Sequence, residues 1–365
     1  MKTDDTPPSD LPAPLGLASL VVRVAIIGGV VGMIAGAFSY CAGWLTPHAL
    51  TPATMIDAFE QVNGRKSGFR RNHAKGVGVS GAFESNGAGV SLSKASVFRK
   101  GRVPVLGRFA IAGGQPYLPD AQGKVRSMAL LFELPGGEEW RTGMNDIPVF
   151  TVNTPEAFYE NLVASVPDPS TGKPDPRKIA QFLRENPASA QALRLIGAHP
   201  KSSGFENDAF NSLNAFRFVN AAGASVFVRW SMVPVESAKP PVDAELAAHR
   251  DYLFDGLVGA IHQHPLQWHL VVTVAQPGDP TNDATLPWPT DRRHLDVGTL
   301  TIDRVESEAT SPVRDVNFDP LVLPVGIAGS DDPLLSARSA AYSVSFTRRE
   351  SEHKEQSAVS VAETR

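Results

Sequence analysis

Cysteine is almost absent from this 365-residue chain, whose one cysteine is Cys41. An intrachain disulfide is therefore excluded, and the rest of the chain has no thiolate for nucleophilic or metal chemistry. A strong charge of either sign is also lacking, because 34 basic and 38 acidic residues leave a net charge of −4. This balance gives no electrostatic reason to expect nucleic acid as a partner.

Several common catalytic patterns are missing as well. No GxGxxG motif or P-loop opens a helix after a strand, which argues against a nucleotide site. There is no GxSxG nucleophile motif. The nine histidines are scattered, and only His262 and His264 lie close together. Pro265 follows this pair and no third ligand is near, so the pattern favours a turn over a metal site.

The composition is otherwise that of a globular protein, with 42% apolar and 20% charged residues, and the chain is long enough for a sizeable core. Its 31 glycines and 30 prolines favour many turns and short strands. Alternating runs predict strands at 76–85, 90–98, 103–111, 125–134, 269–275 and 297–305, and a hairpin, FRFVNAAGASVFVRW, at 216–230. Helical patterns cover 51–62, 154–196, 242–261 and 332–349. We therefore predict an α+β fold with an antiparallel β-barrel core and helical insertions.

One long apolar segment precedes this body. Residues 24–45 carry no charged side chain, and 22 residues are enough to span a bilayer as a helix. We predict a transmembrane helix or signal anchor within residues 21–46, after a disordered cytoplasmic tail at 1–20. A slight excess of basic residues on its amino side predicts that the body lies in the periplasm or elsewhere outside the cytoplasm. A buried core helix is the alternative.

Two short stretches carry the functional signal. RRNHAKGVGVSG, residues 70–81, places His73 beside Arg70 at the start of a glycine-rich strand. SDDPLLSARSAAY, residues 330–342, places Arg338 and Tyr342 at i and i+4 on one helix face. A guanidinium held against a tyrosine hydroxyl favours the phenolate, a ligand for ferric iron. Spacing alone leaves open an ordinary core or surface histidine and an exposed Arg–Tyr contact.

Together these stretches resemble the haem catalase family, in its small catalase-related peroxidase branch with an N-terminal membrane segment. NFDPLVLPVGI at 317–327 and DDPLLSARSAAY at 331–342 are similar to the family's proximal segment, and 70–81 to its distal strand. LGRFA at 106–110 and MNDIPVF at 144–150 follow in the family's order. The resemblance covers residues 52–350 and implies a catalase-like haem-binding domain there. The charged composition of residues 351–365 predicts a flexible tail.

The resemblance also implies a role for each matching residue. Tyr342 is expected to be the axial ligand of haem iron, kept deprotonated by Arg338. His73 is expected to be the acid–base group, and Asn145 to hydrogen-bond the peroxide. Three arginines are expected to neutralise the haem propionates, namely Arg70, Arg108 and Arg349. Phe150 and Phe158 are expected to line the distal pocket.

Two departures from the family pattern affect these expectations. The family has a serine two positions after its propionate-binding arginine, hydrogen-bonded to the distal histidine, whereas this chain has Ala110. We therefore expect His73 to be less firmly oriented, because partners of this kind fix the angle and tautomer of an imidazole. The body is also shorter than a full-length catalase, so we expect a more open route to the haem edge.

The implied function is a haem b peroxidase that reduces hydrogen peroxide or organic peroxides with a small organic reductant, with weak catalase activity. A true catalase, a lipid hydroperoxide-rearranging haem enzyme and a non-enzymatic haem-binding sensor remain as alternatives. Intact His73 and Asn145 argue against the sensor, since haem binding needs neither. The implied partners are the peroxide, the reductant and the membrane, without nucleic acid, and a homo-oligomer stays open.

Overall fold

The structure, a computed structural model, describes residues 16–41, 50–237, 239 and 241–361. The chain divides into two units, Met1–Thr51 and Pro52–Arg365. In the first unit, helix α1 spans Leu17–Cys41, and its 25 apolar-rich residues are enough to cross a membrane. None of its side chains is buried against protein, unlike those of a core helix. A membrane anchor and a signal peptide both fit such a helix. Residues 42–46 of the predicted span and residues 1–15 of the predicted tail at 1–20 lie outside the described residues.

The second unit contains the remaining regular elements. Its helices are α2 Pro52–Asn63, α3 Pro155–Ala164, α4 Pro176–Glu185, α5 Pro187–Ala198, α6 Ala244–Ala247, α7 Tyr252–Gln263 and α8 Pro333–Glu350. Its strands are β1 Lys75–Ser85, β2 Gly101–Ile111, β3 Arg126–Glu133, β4 Glu139–Asn145, β5 Phe210–Asn211, β6 Phe216–Val219, β7 Ser225–Pro234, β8 Leu266–Val274, β9 Arg293–Glu306 and β10 Ile327–Gly329.

The strands form a closed antiparallel barrel. Eight of them pair in the order β7-β5-β4-β3-β2-β1-β9-β8, and β8 pairs with β7 to close the ring, while β6 and β10 extend the sheet beside β7. Large aromatic side chains fill the interior, including Trp140, Trp230 and Trp268, each at most 1% exposed. Closure leaves no free edge among the eight strands, which removes a template for aggregation. The predicted α+β barrel with helical insertions is confirmed.

Two predicted elements differ from the structure. Residues 90–98 are not a strand, since Ala88–Ser91 and Ser96–Phe98 form short 3-10 turns. The Ser91 hydroxyl donates to the Ala88 carbonyl and the Ser93 hydroxyl accepts from the Ala95 amide, which are local bonds that favour turns over an extended strand.

The predicted helix at 242–261 is split into α6 and α7. The Arg250 carbonyl between them accepts from the Asp120 amide at 2.8 Å and not from a later turn of its own helix. Strand β4, which carries Asn145, has no counterpart among the predicted strands.

The charged carboxy-terminal stretch is tied to the body as far as residue 361. The Glu352 carboxylate accepts from Arg71 Nη2 at 2.5 Å and from Arg65 Nη2 at 2.8 Å. Val359 is only 2% exposed and belongs to the main hydrophobic core. Charge composition predicted a flexible tail at 351–365, but these contacts attach its first part, and residues 362–365 lie outside the described ranges.

Candidate functional site

A cavity with about 1250 Å³ of unfilled space, partly open to solvent, lies between the barrel wall and helices α2, α3 and α8. Strands β2, β3 and β4 contribute one wall, and the inward face of α8 contributes another. All the site residues expected from the sequence line this cavity, namely Arg70, His73, Arg108, Asn145, Phe150, Phe158, Arg338, Tyr342 and Arg349. The fold therefore brings together side chains that are spread over most of the chain.

His73 lies on a constrained turn just before β1. Its φ of 56° is in the left-handed region, which a residue with a side chain rarely adopts. The Asn72 Oδ1 stabilises this turn by accepting from the His73 amide at 3.0 Å and from the Gly113 amide at 2.7 Å. The backbone of His73 is thus held by its neighbour in sequence and by the end of the β2 hairpin.

The His73 ring has a hydroxyl partner that the sequence did not reveal. Its Nδ1 lies 3.0 Å from the Ser127 Oγ, and that hydroxyl donates to the Asn145 Oδ1 at 2.5 Å. Ser127 on β3 stands directly opposite Ala110 on β2 and opposite Asn145 on β4. The expectation that Ala110 leaves His73 without such a partner was therefore wrong, because the adjacent strand supplies the hydroxyl. Only the cross-strand register, which the sequence does not display, could have shown this.

His73 is electrically neutral at ordinary pH. Burial lowers the pKa of the imidazole, the positive charges of Arg108, Arg338 and Arg70 lower it further, and the value falls from 6.5 to about 3. A neutral imidazole keeps one unprotonated ring nitrogen, so it can accept a proton from a bound molecule.

Three arginines, Arg70, Arg108 and Arg349, lie at one edge of the cavity around a single carboxylate. Arg108 holds Glu308 at two points, Nε–Oε1 at 2.5 Å and Nη2–Oε2 at 3.0 Å, and Arg70 Nη1 donates to the same carboxylate at 2.9 Å. A Cβ on Gly76 would come within 2.6 Å of the Arg108 guanidinium carbon, so this glycine of the HAKG stretch makes room for Arg108.

The charges of this cluster do not balance. Burial raises the pKa of Glu308, but Arg108 and Arg70 outweigh it and lower the value to about 2. Burial and repulsion from Arg108 lower the pKa of Arg70 to about 9, so it still carries its charge at neutral pH. Three cations and one anion leave a surplus of two positive charges at a buried site, which an incoming dianion would neutralise.

Tyr342 and Arg338 lie one turn apart on α8 and reach the same point on β4. The Tyr342 Oη and the Arg338 Nη2 each stand 3.7 Å from the position that a Cβ on Gly143 would take. Arg338 donates to the Asn214 Oδ1, and the Asn214 Nδ2 donates to the Asp332 Oδ2 at 2.7 Å. Asp332 is also the N-cap of α8, so the start of this helix and its guanidinium are fixed through one network.

The remaining wall is apolar and aromatic. Phe150 and Phe158 stack with ring centroids 5.9 Å apart, and Phe59 of α2 approaches Phe158 at 5.6 Å. Met55 and Ile56 on α2 line the cavity beside Phe59. These α2 residues were missed from the sequence, where the helix carried only an amphipathic pattern.

The residues present fit a haem group. The cavity joins an apolar wall for a macrocycle, a tyrosine oxygen on α8 for the iron, and two surplus positive charges for two propionates. Tyr342 and Arg338 come from α8, whereas His73, Ser127 and Asn145 form a separate polar group on the barrel wall. This donor set therefore suits a haem whose iron a tyrosine oxygen of α8 would hold, with an acid–base group supplied by the barrel wall.

Comparison with known proteins gives the family. The sequence model of the catalase family matches residues 37–364. A catalase-related peroxidase of Synechococcus elongatus is 36% identical over 337 residues, covering 92% of this chain and 95% of the relative. A catalase-related peroxidase of Mycolicibacterium paratuberculosis is 33% identical over 303 residues, covering 82% of this chain and 95% of the relative.

Solved structures give the same fold. A fungal catalase superimposes with a TM-score of 0.71 at 20% identity, covering 83% of this chain and 64% of that structure. The barrel and helices described above are thus those of a catalase, in a chain that spans about two thirds of the solved protein. Membership of this family implies that the cavity binds haem. The chain belongs to the catalase family and is an oxidoreductase that acts on peroxide.

Proposed function

We propose that this protein is a haem b peroxidase, which reduces hydrogen peroxide or an organic peroxide with a small organic electron donor and has weak catalase activity. The observation that carries the proposal is the single cavity that places His73 and Asn145 together on one wall and Tyr342 with Arg338 on α8. In this proposal Tyr342 would hold the haem iron through its phenolic oxygen, with Arg338 one turn before it on α8. Arg70, Arg108 and Arg349 would pair with the propionates.

When bound, haem supplies the redox centre that takes up the oxidising equivalents of peroxide. His73 accepts the proton of one peroxide oxygen at its free ring nitrogen and delivers it to the other oxygen, which leaves as water. The Asn145 amide donates a hydrogen bond to the same peroxide and holds it for the transfer. Two donor molecules, each giving up one electron and one proton, then complete the reduction of one hydrogen peroxide to two waters.

Two features support a peroxidase over a full catalase. Two relatives at 36% and 33% identity carry the name catalase-related peroxidase, and this chain covers 95% of the length of each. The cavity of the described residues is also partly open to solvent. This opening gives organic donors a path to the cavity, and the aromatic rings of Phe59, Phe150 and Phe158 favour aromatic molecules there.

We further propose that α1 anchors the protein in a membrane, with the body in the periplasm or otherwise outside the cytoplasm. The length and apolar composition of Leu17–Cys41 support this. Membrane fractionation followed by mass spectrometry of the intact chain tests it. A soluble product that lacks α1 would show that this segment is a cleaved signal peptide and not an anchor.

The decisive assay compares two activities of the purified, haem-loaded full chain in detergent. Oxygen release from hydrogen peroxide alone is measured beside oxidation of a phenolic or aromatic amine donor. Fast donor oxidation with little oxygen supports the peroxidase. Dominant oxygen release would establish a true catalase instead, and neither activity in a fully haem-loaded protein would contradict the proposed enzyme.

A further inference from the structure

We propose that Ser127 is a positioning residue that fixes the tautomer of His73 and the orientation of the Asn145 amide, joining the two into one directed hydrogen-bond chain. This inference rests on the proposed function, because it assigns a direction of proton flow to the same pair of side chains. It concerns a residue outside the set that the sequence pattern predicts.

Ser127 is built into the wall at the point where both partners are within reach. Its residue is 7% exposed, and its Oγ lies 3.0 Å from the His73 Nδ1 and 2.5 Å from the Asn145 Oδ1. The antiparallel register puts Ala110, Ser127 and Asn145 side by side on three neighbouring strands, so their side chains share one face. Among the residues that the structure describes, Ser127 is the one side chain hydrogen-bonded to the His73 ring.

The number of hydrogens sets the direction of the chain. A serine hydroxyl has one hydrogen, and here it is donated to the carbonyl oxygen of Asn145. The oxygen of Ser127 must then accept from the His73 Nδ1–H. The neutral imidazole therefore carries its hydrogen on Nδ1, and Nε2 is left as the acceptor for a proton from peroxide.

The same bond orients the second partner. Because the Asn145 Oδ1 is occupied by Ser127, its Nδ2 hydrogens are the group left to donate to a bound peroxide. The reversed chain would place a hydrogen on His73 Nε2 and turn the Asn145 oxygen toward the substrate. His73 would then present a donor and Asn145 an acceptor to the peroxide, the reverse of what the reaction needs. The Ser127 hydroxyl therefore decides whether His73 can accept a proton and Asn145 can donate a hydrogen bond.

Ala110 offers a matched rescue site. It stands opposite Ser127 in the β2–β3 register and lines the same cavity, so a hydroxyl placed there approaches the ring from the neighbouring strand. The variants are Ser127→Ala, Ser127→Cys and the double variant Ala110→Ser/Ser127→Ala. Haem content and thermal unfolding of each full chain report whether the fold is kept.

The first readout is the association rate of hydrogen cyanide with the haem-loaded full chain, measured from pH 5 to 9. Cyanide binds as the anion and leaves its proton with a nearby base, so its rate reports the state of His73 without turnover. We expect Ser127→Ala to slow association about tenfold to a hundredfold, as loss of an orienting partner does at other metal sites. We expect the double variant to recover most of that loss.

A double-mutant cycle with Asn145→Ala provides the second readout. If Ser127 acts through Asn145 and His73, the combined loss in peroxide reduction is smaller than the product of the two separate losses. Unchanged cyanide association in a folded Ser127→Ala or Ser127→Cys protein would overturn the inference and leave Ser127 a structural residue. If the wild-type protein shows no peroxide turnover but Ser127→Ala still slows cyanide association, the proposed function is wrong and the role of Ser127 stands.

Discussion

Arg108 and Glu308 form a two-point ion pair although they are 200 positions apart in the chain. The pair joins β2 to the segment after β9, and Arg70 adds a third contact to the same carboxylate. Glu308 thus fixes two guanidiniums in the haem-free protein. Its one negative charge leaves two of the three arginine charges in this cluster for an incoming dianion to neutralise.

Replacing Glu308 by Gln is expected to destabilise the haem-free protein by about 3–5 kcal/mol, because it leaves buried guanidiniums unpaired. The haem-loaded protein should lose less, since propionates neutralise the same charges.

The contribution of the Glu308 carboxylate to the stability of the wild-type protein also depends on pH. With a pKa lowered from 4.5 to about 2, it is present above pH 4.5 and is lost as the pH falls through 2. Denaturant unfolding from about pH 2 to pH 7 measures this, with Glu306→Gln as the control. Equal effects of both changes would exclude a specific stabilising role of the Glu308 ion pairs.

Tyr342→Phe is expected to abolish stable haem loading, because it removes the phenolic oxygen that is proposed to hold the iron. Haem content and the ferric absorption spectrum of the purified full chain measure this. Tyr117→Phe is the control, since the Tyr117 hydroxyl lies at the surface and contacts Glu355 at 3.2 Å. A normal ferric spectrum in the Tyr342 variant would refute the ligand assignment.

His73→Gln is expected to lower the rate of peroxide reduction by a factor of about 10²–10⁴, the usual contribution of general acid–base catalysis. Because the pKa of His73 is lowered to about 3, the ring stays neutral and no loss of activity from its protonation is expected between pH 5 and 8. Stopped-flow rates across this range test both statements. His249→Gln, at an exposed position, is the control. A wild-type activity that falls with a pKa near 6.5 and loses this dependence in His73→Gln would contradict the assignment.

Asp146→Asn is expected to stabilise the protein above neutral pH. Burial raises the pKa of Asp146, Asp208 adds repulsion, and the value rises from 3.8 to about 7. The folded state therefore favours the protonated carboxyl, and stability is lost as the pH rises through 7. Asn keeps the oxygen that accepts from the Arg126 amide at 2.9 Å.

We expect the free energy of unfolding of Asp146→Asn to exceed that of the wild type by about 1–2 kcal/mol at pH 8 and to change little at pH 4, measured by denaturant unfolding. Asp303→Asn, at an exposed position, is the control, and an equal gain at both pH values would contradict the burial argument.

The long barrel strands other than β4 could be predicted because each contains an apolar or alternating run, a pattern local to a few positions. The helix that carries Tyr342 was predictable for the same reason, since Asp332 and Pro333 are local start signals and bound the observed α8. Strand β4 was missed although it carries Asn145. Its run EWRTGMN includes polar and glycine positions that weaken the pattern.

The partners of the site residues could not be predicted. Ser127 and Ala110 are separated by a hairpin, and only the register of β2 and β3 shows that one replaces the other beside His73. Glu308 lies in a loop after β9, without any motif that points to the arginines. Contacts of this kind depend on how strands and loops pair across the fold, so each requires coordinates rather than periodicity.

The two walls of the cavity are made at different times during synthesis. The wall with His73, Ser127 and Asn145 is complete once the ribosome has passed β4, whereas Tyr342 on α8 follows nearly two hundred residues later. All eight strands of the closed barrel precede that helix in the chain. A nascent or carboxy-terminally clipped chain that lacks α8 therefore carries Arg70 and Arg108, but neither Arg349 nor Tyr342, the proposed ligand of the iron. If Tyr342 is that ligand, haem loading is expected only in chains that include α8.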